Sequence, residues 1–277
     1  MSNDTPLLKK IDQVINSDEF TLPVFSDVAL KVRNLLKNKD YAVKDIEKII
    51  CSDQTLTSEV LRVANSPFYS GIAQVNSIQN AAVRLGGQQL ADLVMIASER
   101  NRYSAADKEI NHFMGKLWKH AVGTALASQW LAKKLKYPDM VNKAFMSGLI
   151  HDIGILAIFK ATDHLKQVEN LQIPMDLILG IIDSTHSMYG YKLAKQWNLP
   201  ESYCEIIKEH HSDTFDQSNI PLTIVRLSDL CCNKIGIDIY EPAIFDLSST
   251  PEAVNLGVNE VMVAELEIML EDTLNIS

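Results

Sequence analysis

Four prolines in the second half of the chain each stand directly before a segment whose apolar residues recur with helical spacing. They are Pro138, Pro174, Pro200 and Pro221. Proline suits the first turn of a helix because its missing N–H would have no partner there in any case. The sequence also contains no Asn-Gly or Asp-Gly turn and few runs that alternate apolar and polar residues. We therefore predict an all-α fold.

The first hundred residues contain shorter stretches with helical spacing. We predict helices over residues 43–50, 56–65, 77–85 and 88–98. Because proline and glycine interrupt helices, we expect turns at four places: Leu22-Pro23, Asn65-Ser66-Pro67, Gly71 and Gly86-Gly87. The polar stretch 100–107 is expected to connect this part of the chain to the next helices.

Three parts of the chain are expected: an N-terminal helical lobe over 1–105, a second helical lobe over 106–240 and a C-terminal helical tail over 241–277. Apolar residues at helical spacing mark the start of the second lobe: Phe113, Leu117, Val122, Leu126 and Trp130. The stretch 251–274 is acidic and amphipathic. Such a face usually packs on a core, and association into a homodimer through it is the alternative.

The chain carries a formal charge of -9, from 26 Lys and Arg residues against 35 Asp and Glu residues. This balance opposes attraction to phosphate backbones and anionic lipid, so we expect neither nucleic acid nor a membrane as a partner. Residues 1–5 form neither the basic nor the apolar region of a signal peptide, and no uninterrupted apolar stretch approaches the roughly 20 residues that span a bilayer. We expect a cytoplasmic protein.

The four cysteines show no CxxC motif and no regular spacing: Cys51, Cys204, Cys231 and Cys232. Neither a disulfide framework nor a structural zinc site is indicated. We expect reduced thiols in the core.

A histidine and a carboxylate, His151 and Asp152, interrupt the apolar run from Ser147 to Phe159. Burying a carboxylate is costly unless it is neutralised, ion-paired or bound to a metal ion. Two explanations stay open: Asp152 pairs with a nearby Lys, Arg or backbone N–H, or it belongs to a metal site.

Other helical segments contain residues of the same kind. Asp229 is a second carboxylate on an apolar helix, although Arg226, three residues earlier, offers a local salt bridge. Four more histidines are candidate ligands: His120, His186, His210 and His211. A single helical histidine is more often structural than a ligand, and we expect this of His112 and His164.

Imidazole and carboxylate ligands together suit iron, manganese or zinc, whereas the absence of thiolate partners argues against a structural zinc site. An Asp can bridge two cations with its two oxygens, and water held between such cations loses a proton easily. We therefore expect divalent transition-metal ions, and chemistry of this kind fits phosphoester hydrolysis.

The order His120, His151-Asp152 and Asp229 resembles the H…HD…D pattern of the HD superfamily, which consists of helical metal-dependent phosphohydrolases and their relatives. The further histidines look like those with which HD-GYP-type proteins hold a second metal ion: His186, His210 and His211. This resemblance implies a metal site of one or two ions built from seven residues, with His151 and Asp152 as its catalytic members.

Four N-terminal segments are similar to a narrower family, the HDOD domain. They are Leu22-Pro23, ICSDQTLT at 50–57, LRVANSP at 61–67 and AAVRLG at 81–86. This resemblance covers roughly residues 20–235. It implies an HD-type multi-helix core preceded by an N-terminal helical lobe, and a regulatory role, because HDOD proteins are generally regarded as regulatory relatives of HD enzymes that have often lost ligands.

This chain departs from both groups of relatives. It keeps all seven ligand positions, unlike many HDOD proteins. However, Ile155 stands where many HD-GYP proteins have a lysine that offsets phosphate charge, and residues 212–216 are not a GYP-bearing loop. Lys116 replaces a glutamate of some three-metal relatives, which disfavours a third ion.

Three functions remain open at this stage. The first is a signal-transduction module that retains a metal site and binds a kinase, a response regulator or a nucleotide-signalling protein. The second is a metal-dependent phosphohydrolase acting on a nucleotide, a cyclic dinucleotide or another small phosphate ligand. The third is a metal-free interaction module in which the histidines form a structural hydrogen-bond network.

Overall fold

The structure is a computed structural model that describes residues 6–17, 20, 22, 27–35, 42–65 and 74–274. The regular structure of these residues is helical, and they contain no β-strand, which confirms the all-α prediction. The first five helices are α1 (Pro6–Ile15), α2 (Asp27–Leu35), α3 (Val43–Cys51), α4 (Gln54–Ala64) and α5 (Ile78–Glu99). The others are α6 (Lys108–Lys134), α7 (Val141–Ile150), α8 (Ile153–Val168), α9 (Met175–Gln196), α10 (Glu201–Glu209), α11 (Ile220–Lys234), α12 (Pro251–Leu256) and α13 (Glu260–Leu274).

Contacts between Cα atoms group the chain into two compact units. One contains residues 1–22 and 103–271, and the other contains 23–102 and 272–277. The lobe boundaries at residues 105 and 240 remain our proposal for the domain organisation.

Within the second of these units, helices α3, α4 and α5 confirm the helices predicted over 43–98, with ends that differ by one or two residues. The Asp53 carboxylate accepts a hydrogen bond from the Leu56 N–H and caps α4, while Ser77 caps α5 in the same way. The predicted interruption at Gly86 is confirmed by its φ of 77° inside α5. The turns predicted at Pro23, at Ser66-Pro67 and at Gly71 lie outside the described residues.

In the larger unit, each of the four prolines lies at the start of a helix, as predicted. Pro174 and Pro200 are the residues directly before α9 and α10, and Pro221 lies in the first turn of α11. Pro138 opens a short 3-10 turn that leads into α7. The start of α6 is fixed by the buried Asp163 of α8, which accepts the N–H groups of residues 106 and 107 at 3.0 and 2.9 Å.

The segment from Pro138 to Val168 is long and apolar enough to cross a membrane by length and composition alone, which the sequence reading did not anticipate. Within the protein, 94% of its most apolar window is buried, so packing into the helical core accounts for its apolar surface. Cellular location remains a prediction.

The tail forms two helices, α12 and α13, rather than one continuous helix. Two of its acidic residues pair with lysines of the same unit: Glu265 lies 2.6 Å from Lys134 of α6, and Glu267 lies 2.6 Å from Lys234 of α11. Helix α13 therefore forms ion pairs with its own chain, and its buried residues include Val263, Leu266 and Leu270. The homodimer remains a prediction.

Candidate metal centre

The structure brings all seven predicted site residues together. Three of them lie on helices α6, α9 and α11, and four lie in the links that follow α7 and α10: His120, His186 and Asp229, and His151, Asp152, His210 and His211. Six of these side chains are buried, and His211 is half exposed. They form two groups whose ligand atoms lie within 4.8 Å of one another, so that each group could hold a metal ion.

Close helix contacts set the positions of the first group. Gly148 of α7 lies against α6, where a Cβ would be 2.7 Å from the carbonyl oxygen of Thr124. This approach places His151, at the end of α7, beside His120 of α6, and their Nε2 atoms are 3.2 Å apart. Asp229 of α11 completes the group, with Oδ1 at 3.2 Å from the His120 Nε2.

The second group lies on the other side of Asp152. His186 of α9 and His210 at the end of α10 have Nε2 atoms 3.3 Å apart. The His211 imidazole lies beside both of them, with ring centroids at 5.1 and 4.2 Å. Its Nδ1 is 3.8 Å from Oδ2 of Asp229.

Asp152 lies between the two groups, and its two oxygens face different histidines. Oδ2 is 3.4 Å from the His120 Nε2 and 3.3 Å from the His151 Nε2. Oδ1 is 3.1 Å from the His210 Nε2 and 3.6 Å from the His186 Nε2. A carboxylate in this position is suited to bridge two cations. Of the two explanations left open for Asp152, pairing with a Lys, an Arg or a backbone N–H is not found among the described residues, since its carboxylate oxygens face histidines.

The four buried histidines share one orientation. In each, Nδ1 lies within hydrogen-bond distance of a backbone carbonyl oxygen, at 2.7 to 2.9 Å. The acceptors for His120, His151, His186 and His210 are the carbonyls of Ile237, Gly148, Ile182 and Ile207. Because a carbonyl can only accept, Nδ1 of each ring carries a proton, and Nε2 faces the cluster. Metal-binding histidines are held in this way.

The Nε2 pairs provide a test of whether a metal ion fits. Two Nε2 atoms at 3.2 or 3.3 Å are close enough to bind one cation between them, either a metal ion or a shared proton. Nitrogens bound to one ion at about 2.1 Å in tetrahedral or octahedral geometry lie about 3.0 to 3.4 Å apart. The residues present therefore fit transition-metal ions held by nitrogen and oxygen.

Burial and neighbouring charges shift the pKa values of the cluster residues in different directions. Burial by itself would lower the pKa of His120, but the carboxylates of Asp152 and Asp229 raise it well above its usual value. Burial lowers the pKa of His210 to about 3, so this imidazole is neutral at pH 7. Burial would raise the pKa of Asp152, but the neighbouring imidazoles hold it well below its usual range. Asp152 is therefore an anion.

A cavity of about 500 Å³ opens onto the cluster. Besides ligand residues, several polar residues that the sequence reading did not single out line it: Asp183, Ser187, Lys208, Asn233, Asp238 and Tyr240. Ile155 is part of the wall, so the apolar residue predicted at the position of the HD-GYP lysine does face the site. Asp238 follows Ile237, whose carbonyl accepts a hydrogen bond from the His120 Nδ1–H, and lies 3.9 Å from the His120 Nδ1.

The structure decides one alternative that the sequence left open and corrects one expectation. Arg226 does not pair with Asp229, because its guanidinium Nε donates to Glu252 at 2.7 Å and a second nitrogen faces backbone carbonyls. Three cysteines are buried and free, but Cys51 is exposed on the surface rather than in the core. Sequence spacing could not show either outcome, because both depend on which faces other helices cover. His112 and His164 are exposed and lie outside the cluster, as expected.

Comparisons with known proteins identify the family and the fold. The family description of the HDOD domain matches residues 22–213, more than half of the chain. A protein of Treponema pallidum (strain Nichols) without a characterised function is 24% identical over 197 residues, which are 69% of this chain but only 38% of that protein.

Solved structures share the fold across nearly the whole chain. A structure from Geobacter sulfurreducens, described as an HDOD domain protein of unknown function, has a TM-score of 0.69 at 21% identity and covers 96% of this chain and 98% of its own. A structure from Shewanella amazonensis SB2B, named as a candidate metal-dependent phosphohydrolase, has a TM-score of 0.64 at 16% identity with the same coverage. A candidate signal transduction protein from Marinobacter aquaeolei VT8 has a TM-score of 0.61 at 17% identity, over 99% of this chain and 65% of that one.

Proposed function

Because this chain belongs to the HDOD family, we propose that it is a signal-transduction module that retains a centre for two divalent metal ions. One observation carries this proposal: the two oxygens of Asp152 each face a different pair of histidines, and all four imidazoles direct Nε2 inward. Imidazole nitrogens and carboxylate oxygens that converge in this way are the donor set that two divalent cations would need.

In this proposal each group of residues has a distinct task. His120, His151 and Asp229 hold the first ion, whereas His186, His210 and His211 hold the second, and Asp152 bridges the two. The backbone carbonyls that accept from Nδ1 fix the direction of the four buried rings. The donor set of nitrogen and oxygen suits iron, manganese or another transition metal.

Elemental analysis of protein purified without a polyhistidine tag tests the centre. We expect about two ions per chain in the wild type, because the site has two ligand groups. Asp152→Asn, which keeps the shape but removes the bridging charge, should lose both ions, while Asp176→Asn at an exposed position of α9 should retain them. Wild-type protein that takes up no iron, manganese, cobalt or zinc would overturn the proposal.

The regulatory part of the proposal concerns a protein partner, such as a kinase, a response regulator or a nucleotide-signalling protein. It is supported by the family and by the name of the Marinobacter structure. A binding assay with candidate partners, run with metal-loaded and Asp152→Asn protein, tests it. Partners whose binding and activity are the same with both proteins would contradict a signalling role for the centre.

A second candidate function is phosphoester hydrolysis, which the cavity beside the cluster favours. Divalent ions bound there would supply Lewis-acid polarisation of a phosphoryl oxygen. Lys208 lines this cavity and offers a cation that Ile155 does not, although its Nζ also pairs with Glu209 at 2.7 Å. Metal-loaded protein should then hydrolyse a member of a panel of nucleotides, cyclic dinucleotides and simple phosphate esters. Loss of that hydrolysis in Asp152→Asn is the control, and an inert panel would reject this function.

The metal-free alternative makes an opposite prediction. Here a proton shared between His120 and the carboxylates would replace the ion, and the raised pKa of His120 favours that arrangement. Thermal stability should then be independent of added metal and of chelator. A rise in the unfolding temperature with added manganese or iron, absent in Asp152→Asn, would exclude this alternative.

A further inference from the structure

Arg226 of α11 is not a ligand, but it binds the backbone that carries two of them. One guanidinium nitrogen, Nη1, lies 3.1 Å from the carbonyl oxygen of Glu209, 2.7 Å from that of His210 and 3.0 Å from that of Ser212. The last carbonyls of a helix have no partner within it, and α10 ends at Glu209. Arg226 therefore satisfies the C-terminal end of α10 with a cation, where the helix dipole also favours positive charge.

The same cation is itself held on two sides. Its Nε donates to Oε1 of Glu252 at 2.7 Å, and the Phe215 ring lies over the guanidinium at 4.1 Å from the ring centroid. Glu252 is only 3% exposed and lies in the first turn of α12. A buried carboxylate requires a charge partner, so the ion pair fixes Arg226 in one orientation.

The chain from 209 to 212 includes both His210 and His211. The His210 Nε2 is 3.1 Å from Oδ1 of Asp152, and His211 completes the same ligand group. Rotation of this backbone by even a small amount would move both imidazoles. By contrast, the other ligand group is built on α6, α7 and α11, and none of its backbone carbonyls accepts from Arg226.

We propose that Arg226 is a positioning residue for the second metal position, and that α12 controls this position through Glu252. Both residues lie beyond residue 213, where the family match ends. The tail would thus set the affinity of a centre whose ligands lie mostly within the matched domain. This inference rests on the proposed two-ion centre, and its test separates the two.

Three variants of the full chain test the proposal: Arg226→Lys, Glu252→Gln and, as a matched control on the same tail, Glu260→Gln at an exposed position. Manganese titration by calorimetry should give two binding steps in the wild type. In Arg226→Lys and Glu252→Gln one of the two steps should lose about 10- to 100-fold in affinity, because changes of residues that orient ligands typically have effects of this size. The affinity of the other step should be unchanged. The Glu260→Gln protein should bind manganese as the wild type does.

A second measurement does not depend on metal. In metal-free protein, the imidazole 15N resonances of His210 and His211 should shift in Arg226→Lys, whereas those of His120 and His151 should stay in place. Metal affinities and imidazole resonances that all match the wild type would overturn the inference. If the wild type binds no metal, the proposed function fails, but the imidazole resonances still test the positioning role of Arg226. Unshifted His210 and His211 resonances in Arg226→Lys would then reject that role.

Discussion

Gly154 lies directly against the carbonyl of His186, and a Cβ built on Gly154 would be only 1.9 Å from that oxygen. The same Cβ would be 2.7 Å from the backbone nitrogen of Gly190. Helices α8 and α9 therefore approach each other backbone to backbone, two residues after Asp152. This contact brings His186 within reach of the bridging carboxylate.

Gly154→Ala should consequently disturb both stability and metal binding. Backbone atoms cannot move aside as a side chain can, so we expect a loss of about 1 to 3 kcal/mol in the free energy of unfolding. Gly180→Ala on α9 is the matched control, because nothing lies within 4 Å of a Cβ there and alanine favours a helix by about 0.5 to 1 kcal/mol. Urea denaturation of both variants measures the difference. Equal stabilities would show that α8 and α9 are not in close contact.

His210→Ala should remove one ion and leave the other. The deletion takes one Nε2 from the second group but leaves His120, His151 and Asp229 in place. We expect elemental analysis to fall from about two ions per chain to about one. His164→Ala removes an exposed imidazole outside the cluster and should keep the wild-type metal content. A His210→Ala protein with the full metal content would argue against two separate positions.

Asp107 should make the stability of the folded protein depend on pH, separately from the metal centre. Its carboxylate caps α6 by accepting from the N–H groups of residues 109 and 110, and it lies 2.6 Å from Lys166. Burial would raise the pKa of this carboxyl, but Lys166 and the backbone donors lower it below its usual value. Because the folded pKa is below the unfolded one, the stabilisation is present above the unfolded pKa and is lost as pH falls through the folded pKa.

Asp107→Asn keeps a capping oxygen and removes the charge. At pH 7 we expect it to lose about 1 kcal/mol or less in the free energy of unfolding, the usual size for a charge near a helix N-terminus. The difference between variant and wild type should shrink as pH is lowered below about 4. Urea denaturation at several pH values measures it, and a difference that stays constant down to pH 3 would contradict the assigned ion pair.

The four thiols should differ sharply in reactivity. Burial raises the pKa of Cys232 to about 12 and also raises the pKa values of Cys231 and Cys204, whereas Cys51 is exposed. Since the thiolate is the reacting form, we expect one thiol to react rapidly with a thiol reagent at pH 8 and three to react only on unfolding. The Cys51→Ser protein should show no rapid phase. A rapid phase that survives this substitution would place another thiol at the surface.

The sequence alone indicated much of this protein, because some of its constraints are local. A proline can open a helix but cannot sit inside one, and for this reason Pro174, Pro200 and Pro221 marked helix starts correctly. A carboxylate within an apolar run needs compensation wherever it lies. Together with the HD-type order of residues, this singled out His151, Asp152 and the five other members of the cluster.

Only the tertiary structure decided how those residues are divided between the two ligand groups. The distribution of the two Asp152 oxygens between two histidine pairs depends on close helix contacts, such as that of Gly154 with His186. The sequence left open a salt bridge between Arg226 and Asp229, three residues away, but the partner of Arg226 is Glu252, 26 residues further on. Spacing within one helix states which side chains can meet locally. This spacing does not show which face of the helix a distant helix covers. The covered face decides which charged side chains come close enough to pair.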